Sequence, residues 1–316
     1  MLGLYLWGLF LYGFQMFVFI GMISWYFYWV MIELNLILFL VLVSSITINS
    51  FYYLGEVSFS YFMVQVLGSL IFVSSYLLSV GVGDSFSFDD SLFMNLVIFS
   101  LFLKMGLFPS HSWNYFFSSK ISFNVLLIFI TFQKIPIFLL INWVNGLMVF
   151  FLFLLSLFFG SFFIVFSFDL IYMLVSSSLM ASFYFYFASI MMFNVFLFLN
   201  LFYFFTMVVV FSLFYSYYSS FYHKHGSYMM LMVFMIFSGL PPFYMFFLKF
   251  GLFHFMSLDM PLMVVFVFSF SSLVSLMGYL SFFYCSFFVP SNYNKNLYFN
   301  KFFGLLYFMV PSLVCV

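Results

Sequence analysis

Runs of about twenty apolar residues follow one another along nearly the whole of this 316-residue chain, and the polar or Gly/Pro clusters between them are too short to fold alone. That pattern leaves one class of fold. With 68% of residues hydrophobic and 4% charged, the chain reads as an all-α polytopic membrane protein. The reason is that a backbone exposed to lipid must satisfy its own hydrogen bonds, and an α-helix does so within one segment. The longest polar stretch, near Asn292 to Lys301, has no room for a nucleotide-, flavin- or nucleic-acid-binding module. The formal net charge is zero, so no basic patch points to nucleic acid. Residues 1–316 therefore read as a single transmembrane domain.

Cutting the chain at its polar and Gly/Pro clusters gives about eleven segments of spanning length. They run from Leu2 to Ile23, Trp25 to Ile46, Ser60 to Val80, Leu92 to Phe117, Ile121 to Ile141, Leu147 to Phe168, Leu170 to Ala188, Met192 to Tyr217, Met229 to Phe255, Leu262 to Phe283 and Phe302 to Val316. Alternating sides along these segments, one face collects Lys120, Lys224, Lys295 and Lys301, and the other collects Asp84, Asp89, Asp90 and Asp259. Positive residues in short loops stay on the side where insertion begins. The lysine face is then the inner face, with the N-terminus inside and the C-terminus outside. The chain opens on an apolar helix, with neither the cationic start of a signal peptide nor an Arg-rich transit sequence, so import is not expected. The 62 Phe residues fit a T-rich coding strand of the kind found in organelle genomes.

Against this background four ionisable residues stand inside apolar segments: Glu33, Lys104, Lys134 and Lys249. There is no Arg in the chain, so these four are a large share of its few charges. Each ion near a bilayer centre costs about 2.5 to 3.5 kcal/mol, or roughly 10 to 14 kcal/mol for four left unpaired. Pairing, water-filled cavities and changes of protonation are the usual offsets, and all three are parts of a machine that moves protons. Glu33 sits too deep in its segment to be a loop cap. With three buried lysines available, an ion pair is a cheaper arrangement for it than a neutral acid bonded to a neighbouring helix. Lys134 lies nearly mid-segment, where its stem is too short to reach the headgroups. It reads as a reversible proton carrier, or as a lysine held permanently charged.

Two segments combine length with Gly/Pro interruption. The fourth carries Gly106 and Pro109, the ninth Ser238-Gly239-Leu240-Pro241-Pro242. Proline removes a backbone donor and clashes with the preceding turn, so Pro241-Pro242 is expected to open the ninth helix, and the single Pro109 either to open the fourth or only to kink it. Paired broken helices in corresponding positions mark the ion or substrate site in transporters built from inverted repeats. Lys104 just precedes the first break and Lys249 follows the second. His111, just after Pro109, reads either as a relay or as an interfacial residue beside Trp113. Glu56 and Asp169 are expected in short, solvated loops.

The remaining chemistry is sparse. Cys285 and Cys315 are isolated and supply neither a redox pair nor an iron–sulfur ligand set. Of His111, His223, His225 and His254, only the first and last could lie at membrane depth, too few for a transmembrane haem or copper site.

Six stretches occur in an order that resembles a known family. They are Trp29 to Asn35, Tyr61 to Gln65, Lys104 to Trp113, Gln133-Lys134-Ile135-Pro136, Ser176 to Ser178, and Gly239 to Pro242 followed by Lys249. Together they resemble the subunit 2 family of mitochondrial NADH dehydrogenase, the smallest antiporter-like subunits of respiratory complex I, over about Trp25 to Phe250. The resemblance implies an antiporter-like inverted-repeat fold without its first three helices, with two discontinuous helices, an N-terminus in the matrix and a C-terminus in the intermembrane space. It implies that Glu33 is the acidic member of a buried pair, Lys104 its partner, Lys134 the central relay and Lys249 the terminal lysine of a proton path. It also implies that NADH, FMN, iron–sulfur clusters and ubiquinone bind other subunits, with no cofactor, metal or small-molecule substrate held by this chain. Its partners would be other membrane-arm subunits and the lipid bilayer of the inner mitochondrial membrane. Departures from the family pattern lie at Ser110 and Ser112, and at Phe243 to Phe247. Two rival readings share these features: a subunit of a multi-subunit cation/proton antiporter, and a structural membrane subunit whose lysines pair and never titrate.

Overall fold

The computed structural model describes residues 10–11, 13–15, 18, 25–46, 51–81, 91–141, 144, 146–167, 169–191, 199–200, 203–209, 236, 238–239 and 244–288. Among these, the ordered elements are helices: α1 (Trp25–Ile46), α2 (Phe51–Gly81), α3 (Ser91–Met105), α4 (Ser112–Ser118), α5 (Phe123–Thr131), α6 (Ile135–Ile141), α7 (Leu147–Phe166), α8 (Leu170–Met191), α9 (Tyr244–Asp259) and α10 (Leu262–Phe288). A 3₁₀ turn, Phe132–Lys134, joins α5 to α6. Six described helices are long and apolar enough to cross a membrane: α1, α2, the α5–α6 pair, α7, α8 and α10. The first, eighth and eleventh expected segments lie largely or wholly outside the described residues, and the expected count of eleven lies there with them.

Most of these helices are apolar on all sides, as expected of helices whose surroundings are lipid or other helices. What separates inner from outer elements is burial. α8 lies in the middle, with Met173 to Phe183 and Phe185 to Ala188 buried, and the α5–α6 pair is buried nearly as fully. α10 is peripheral and exposes Leu262, Met263, Phe266 and Leu273. α7 packs between α8 and α10, and α2 packs along α3. Close approach needs small residues at the crossings. A Cβ on Gly160 would come within 3.2 Å of the α8 backbone at Ser176 and Met180, and one on Gly278 would meet Ile164 at 2.7 Å.

Serines are frequent in these helices and cost little there, because each hydroxyl bonds a carbonyl of its own preceding turn. Ser100, Ser156, Ser161, Ser176, Ser177 and Ser182 all do so. The same device corrects one expectation. α2 begins at Phe51, not Ser60, and Glu56 lies on its exposed face, not in a loop. Ser58 and Ser60 bond the carbonyls of Gly55 and Val57, so the helix carries this polar stretch without breaking. Asp169 does lie in the short turn between α7 and α8, exposed.

The fourth expected segment is two helices. α3 stops at Met105, and α4 resumes at Ser112 in a new position. An aromatic cluster fixes that position: Phe117 of α4 stacks on Tyr61 of α2 at 4.9 Å and meets Phe129 of α5 at 5.0 Å, and Phe39 of α1 closes the group at 5.1 Å from Tyr61. The fifth segment is also interrupted, which its sequence did not announce beyond Pro136. Pro136 has no N–H for the carbonyl of Phe132, and the N–H of Ile135 takes that carbonyl instead, tightening the backbone to a 3₁₀ turn.

Candidate functional site

The end of α3 shows how a helix can stop inside a membrane protein. The last turn of a helix leaves carbonyls without donors, and in an apolar interior each must be satisfied locally. Gly106 takes a left-handed φ of +62°, the N–H of Leu107 bonds the carbonyl of Phe102, and the N–H of Gly106 bonds that of Leu103. This is a Schellman closure, for which glycine carries no steric penalty. Side chains take the rest. Gln65 Nε2 donates to the carbonyl of Lys104 at 2.9 Å and Asn114 Nδ2 to those of Met105 and Gly106, at 3.1 and 2.7 Å. Trp113 Nε1 adds a bond to Leu103 at 3.1 Å, and Ser110 Oγ bonds the carbonyls of Leu107 and Phe102.

On this pinned helix end, Lys104 Nζ donates to Glu33 Oε1 of α1 at 3.0 Å. The lysine side chain is 1% exposed and that of Glu33 26%. Gly68 on α2 makes room for the stem, since a Cβ there would lie 2.7 Å from Lys104 Cγ. A buried lysine and a half-buried glutamate thus stand within ion-pair distance at the end of α3. Lys134, at the end of the 3₁₀ turn, is buried and donates to the carbonyl and to Oγ of Ser178 on α8, at 2.9 and 3.0 Å. Among the described residues no carboxylate pairs with it.

Lys249 on α9 donates to the carbonyl of Ser238 at 3.0 Å. The adjoining Gly239 has φ +71°, and a Cβ on it would lie 3.1 to 3.3 Å from the end of the Lys249 side chain. Leu240, Pro241, Pro242 and Phe243, where the ninth segment was expected to open, lie outside the described residues.

His111 stands apart from the ion pair. It sits in the turn between α3 and α4, its ring against Phe163 at 4.8 Å and Phe108 at 5.9 Å. Its Nδ1 is buried and has no hydrogen-bond partner among the described residues. With Ser112, Tyr115, Asp169 and Tyr172 it lines an open cleft of about 510 Å³ beside the α7–α8 turn. His254 is exposed on α9, and among the described residues no three His, Cys, Asp or Glu side chains gather to hold a metal.

Sequence reasoning identified the charges and missed what holds them. Gln65, Asn114 and Ser178 were inside quoted motifs or beside them, but an uncharged polar residue in an apolar helix announces no partner. One signal was available in Gly68, a small residue on α2 where the lysine stem passes.

Buried lysines at the end of α3 and in the turn between α5 and α6, the first paired with a glutamate from α1, sit in a helical membrane fold of the antiporter-like class. A chain of respiratory complex I from Thermus thermophilus with bound aureothin matches with a TM-score of 0.65 at 21% identity, covering 84% of this chain and 66% of that one. A chain of an Mrp complex from Dietzia sp. matches at 0.62 and 17%, covering 83% of this chain and 56% of that one. One from a membrane-bound sulfane sulfur reductase, an archaeal respiratory membrane complex, matches at 0.66 and 14%, covering 90% and 68%.

In sequence the chain is similar to NADH-ubiquinone oxidoreductase chain 2. The identity is 29% over 109 residues to the protein of Rhipicephalus sanguineus, covering 34% of this chain and 31% of that protein. It is 33% over 112 residues to that of Artemia franciscana, covering 35% and 31%. The match to that of Artemia salina is 39% over 80 residues, covering 25% and 50%. The chain thus spans about a third to a half of the length of the curated relatives it matches. No protein-family model matches it.

Proposed function

We propose that this chain is the chain 2 subunit of an NADH:ubiquinone oxidoreductase and carries protons through the membrane arm of that complex. The observation that carries the reading is the Glu33–Lys104 pair, 3.0 Å apart between α1 and the broken end of α3. A pair of this kind balances desolvation against attraction, so a small change in its geometry changes which partner holds the proton. Lys134 and Lys249 continue the path. Lys134 donates to the carbonyl and hydroxyl oxygens of Ser178, which accept from an ammonium and bring no negative charge to fix it in that form, and Lys249 donates to the carbonyl of Ser238.

Loosening of the ion pair would alter the charge felt at Lys134, and the proton would pass along hydrated side chains toward Lys249. His111, on its cleft beside the α7–α8 turn, would lie on an approach from the inner face. NADH oxidation and quinone reduction would take place in other subunits, and this chain would hold no redox centre. Its setting would be the inner mitochondrial membrane, with the lysine-rich loops in the matrix and the C-terminus in the intermembrane space. Its partners would be the neighbouring membrane-arm subunits.

The likeness to the Mrp complex favours the antiporter-subunit reading as the second choice. The fold does not separate the two, whereas the sequence relatives favour the first. The deciding experiment is to solubilise the native membrane mildly and follow this chain by mass spectrometry. Co-migration with NADH dehydrogenase activity and with flavin and iron–sulfur subunits is expected. Migration with cation-exchange activity and without those subunits would move the chain to the antiporter class.

A further inference from the structure

α1 faces two sites at once. Residues two apart on a helix point about 200° away from each other. Glu33 accordingly reaches Lys104 on α3, and Asn35 reaches the opposite way, its Nδ2 donating to Gln133 Oε1 in the 3₁₀ turn at 3.1 Å. Gln133 is the residue before Lys134. One helix therefore holds the counter-ion of the first lysine and, through an amide bond, the backbone that carries the second.

The bond is costly where it lies. Asn35 is 4% exposed, and its Oδ1 and the Nε2 of Gln133 are both buried without a partner among the described residues. Each such group bears a desolvation penalty that a leucine or methionine at the same place would avoid. The bond also joins the interruption of its span: in the Phe132–Lys134 turn the Phe132 carbonyl accepts from the N–H of Ile135, because Pro136 has no N–H to give. Gln133 is next to Lys134 in that turn, so a displacement of its backbone displaces Lys134.

We propose that Asn35 and Gln133 are positioning residues that link the Glu33–Lys104 pair to Lys134, so that movement of α1 at the ion pair shifts the Lys134 ammonium against Ser178. The inference rests on the reading of Lys134 as a proton relay. The experiment uses sealed vesicles carrying the assembled complex, with acidification rate divided by NADH oxidation rate and both normalised to assembled complex. The variants are Asn35→Leu, Gln133→Leu, the two together, the exchange of Asn35→Gln with Gln133→Asn, and Lys134→Met as reference.

Loss of one hydrogen bond corresponds to about a five-fold lower acidification rate in each single variant. The double variant falls no further, and the exchanged pair recovers most of the loss because it restores the amide contact. Losses that multiply in the double variant, or singles that reduce only the amount of assembled complex, overturn the linkage. Should Lys134→Met itself leave the ratio at the wild-type value, the relay reading fails and this inference falls with it. A drop in Lys134→Met with wild-type ratios in both leucine variants refutes the linkage alone.

Discussion

At the residue scale, removing one member of a buried ion pair is worse than removing both, because the survivor keeps its desolvation cost and loses its compensation. Lys104→Met keeps the length and apolar stem of the side chain and leaves Glu33 without its partner. Glu33 retains some exposure, 26% of its side chain, so the stability loss stays below about 3 kcal/mol and the complex still assembles. Proton pumping and coupled quinone reduction fall, and adding Glu33→Gln restores stability in part without restoring pumping. Wild-type acidification in reconstituted vesicles carrying Lys104→Met would remove Lys104 from the path. Lys134 separates charge from titration. A guanidinium keeps its proton at any accessible pH, so Lys134→Arg is expected to damage coupled activity nearly as much as Lys134→Met. Full activity in the Arg variant with none in the Met variant would make Lys134 a fixed electrostatic element.

At the element scale, the function depends on where helices stop. Gly106→Ala would place an alanine at φ +62° with its Cβ overlapping the Asn114 side chain, which itself caps Met105 and Gly106. The strain alone costs about 1 to 3 kcal/mol, and the cap is displaced in addition. Thermal stability of the assembled complex should drop, and a melting curve equal to wild type would show that the closure of α3 does not need glycine. Gly239→Ala acts on the other lysine, since its Cβ would press on Lys249.

These breaks were legible to different degrees. Gly106 and Pro109 announced the first because both act through the local backbone. The 3₁₀ turn at Lys134 was harder to read, since proline within a span signals only a kink, and the tightening depends on which carbonyl finds the N–H of Ile135. The side chains that close the break, Gln65 and Asn114, were invisible as caps, because their partners lie across the fold or beyond a turn whose path the sequence leaves open. The extension of α2 through Glu56 was misread for the opposite reason. Polar residues suggest a loop only when the helix offers them no bond, and here Ser58 and Ser60 find theirs within it.

At the scale of the whole molecule, the loop charges expected from the sequence and the packing of the described helices lead to one proposed sidedness. The cleft that contains His111, Ser112 and Tyr115 also contains Ser167, Asp169 and Tyr172, so the start of α4 lies close to the α7–α8 turn. α4 ends near Lys120, whose ammonium sits over the Phe116 ring at 3.9 Å, as a cation does at a boundary between lipid and water. α7 crosses once between Gly146 and that turn, which puts Gly146 on the far side. The arrangement predicts opposite labelling from two directions. In a chain whose Cys285 and Cys315 are replaced by Ser, Ser119→Cys and Asp169→Cys should react with a membrane-impermeant maleimide from the side that holds the lysine-rich loops. Gly146→Cys should react only from the other. All three positions are exposed on this chain, and labelling after detergent solubilisation of the complex separates sidedness from cover by a neighbouring subunit. In mitoplasts, whose outer face is the intermembrane side, Gly146→Cys is then labelled directly, and Ser119→Cys and Asp169→Cys only after the inner membrane is opened. Labelling of Asp169→Cys in intact mitoplasts would invert the orientation, place the His111 cleft on the intermembrane side and reverse the direction of entry proposed for the proton.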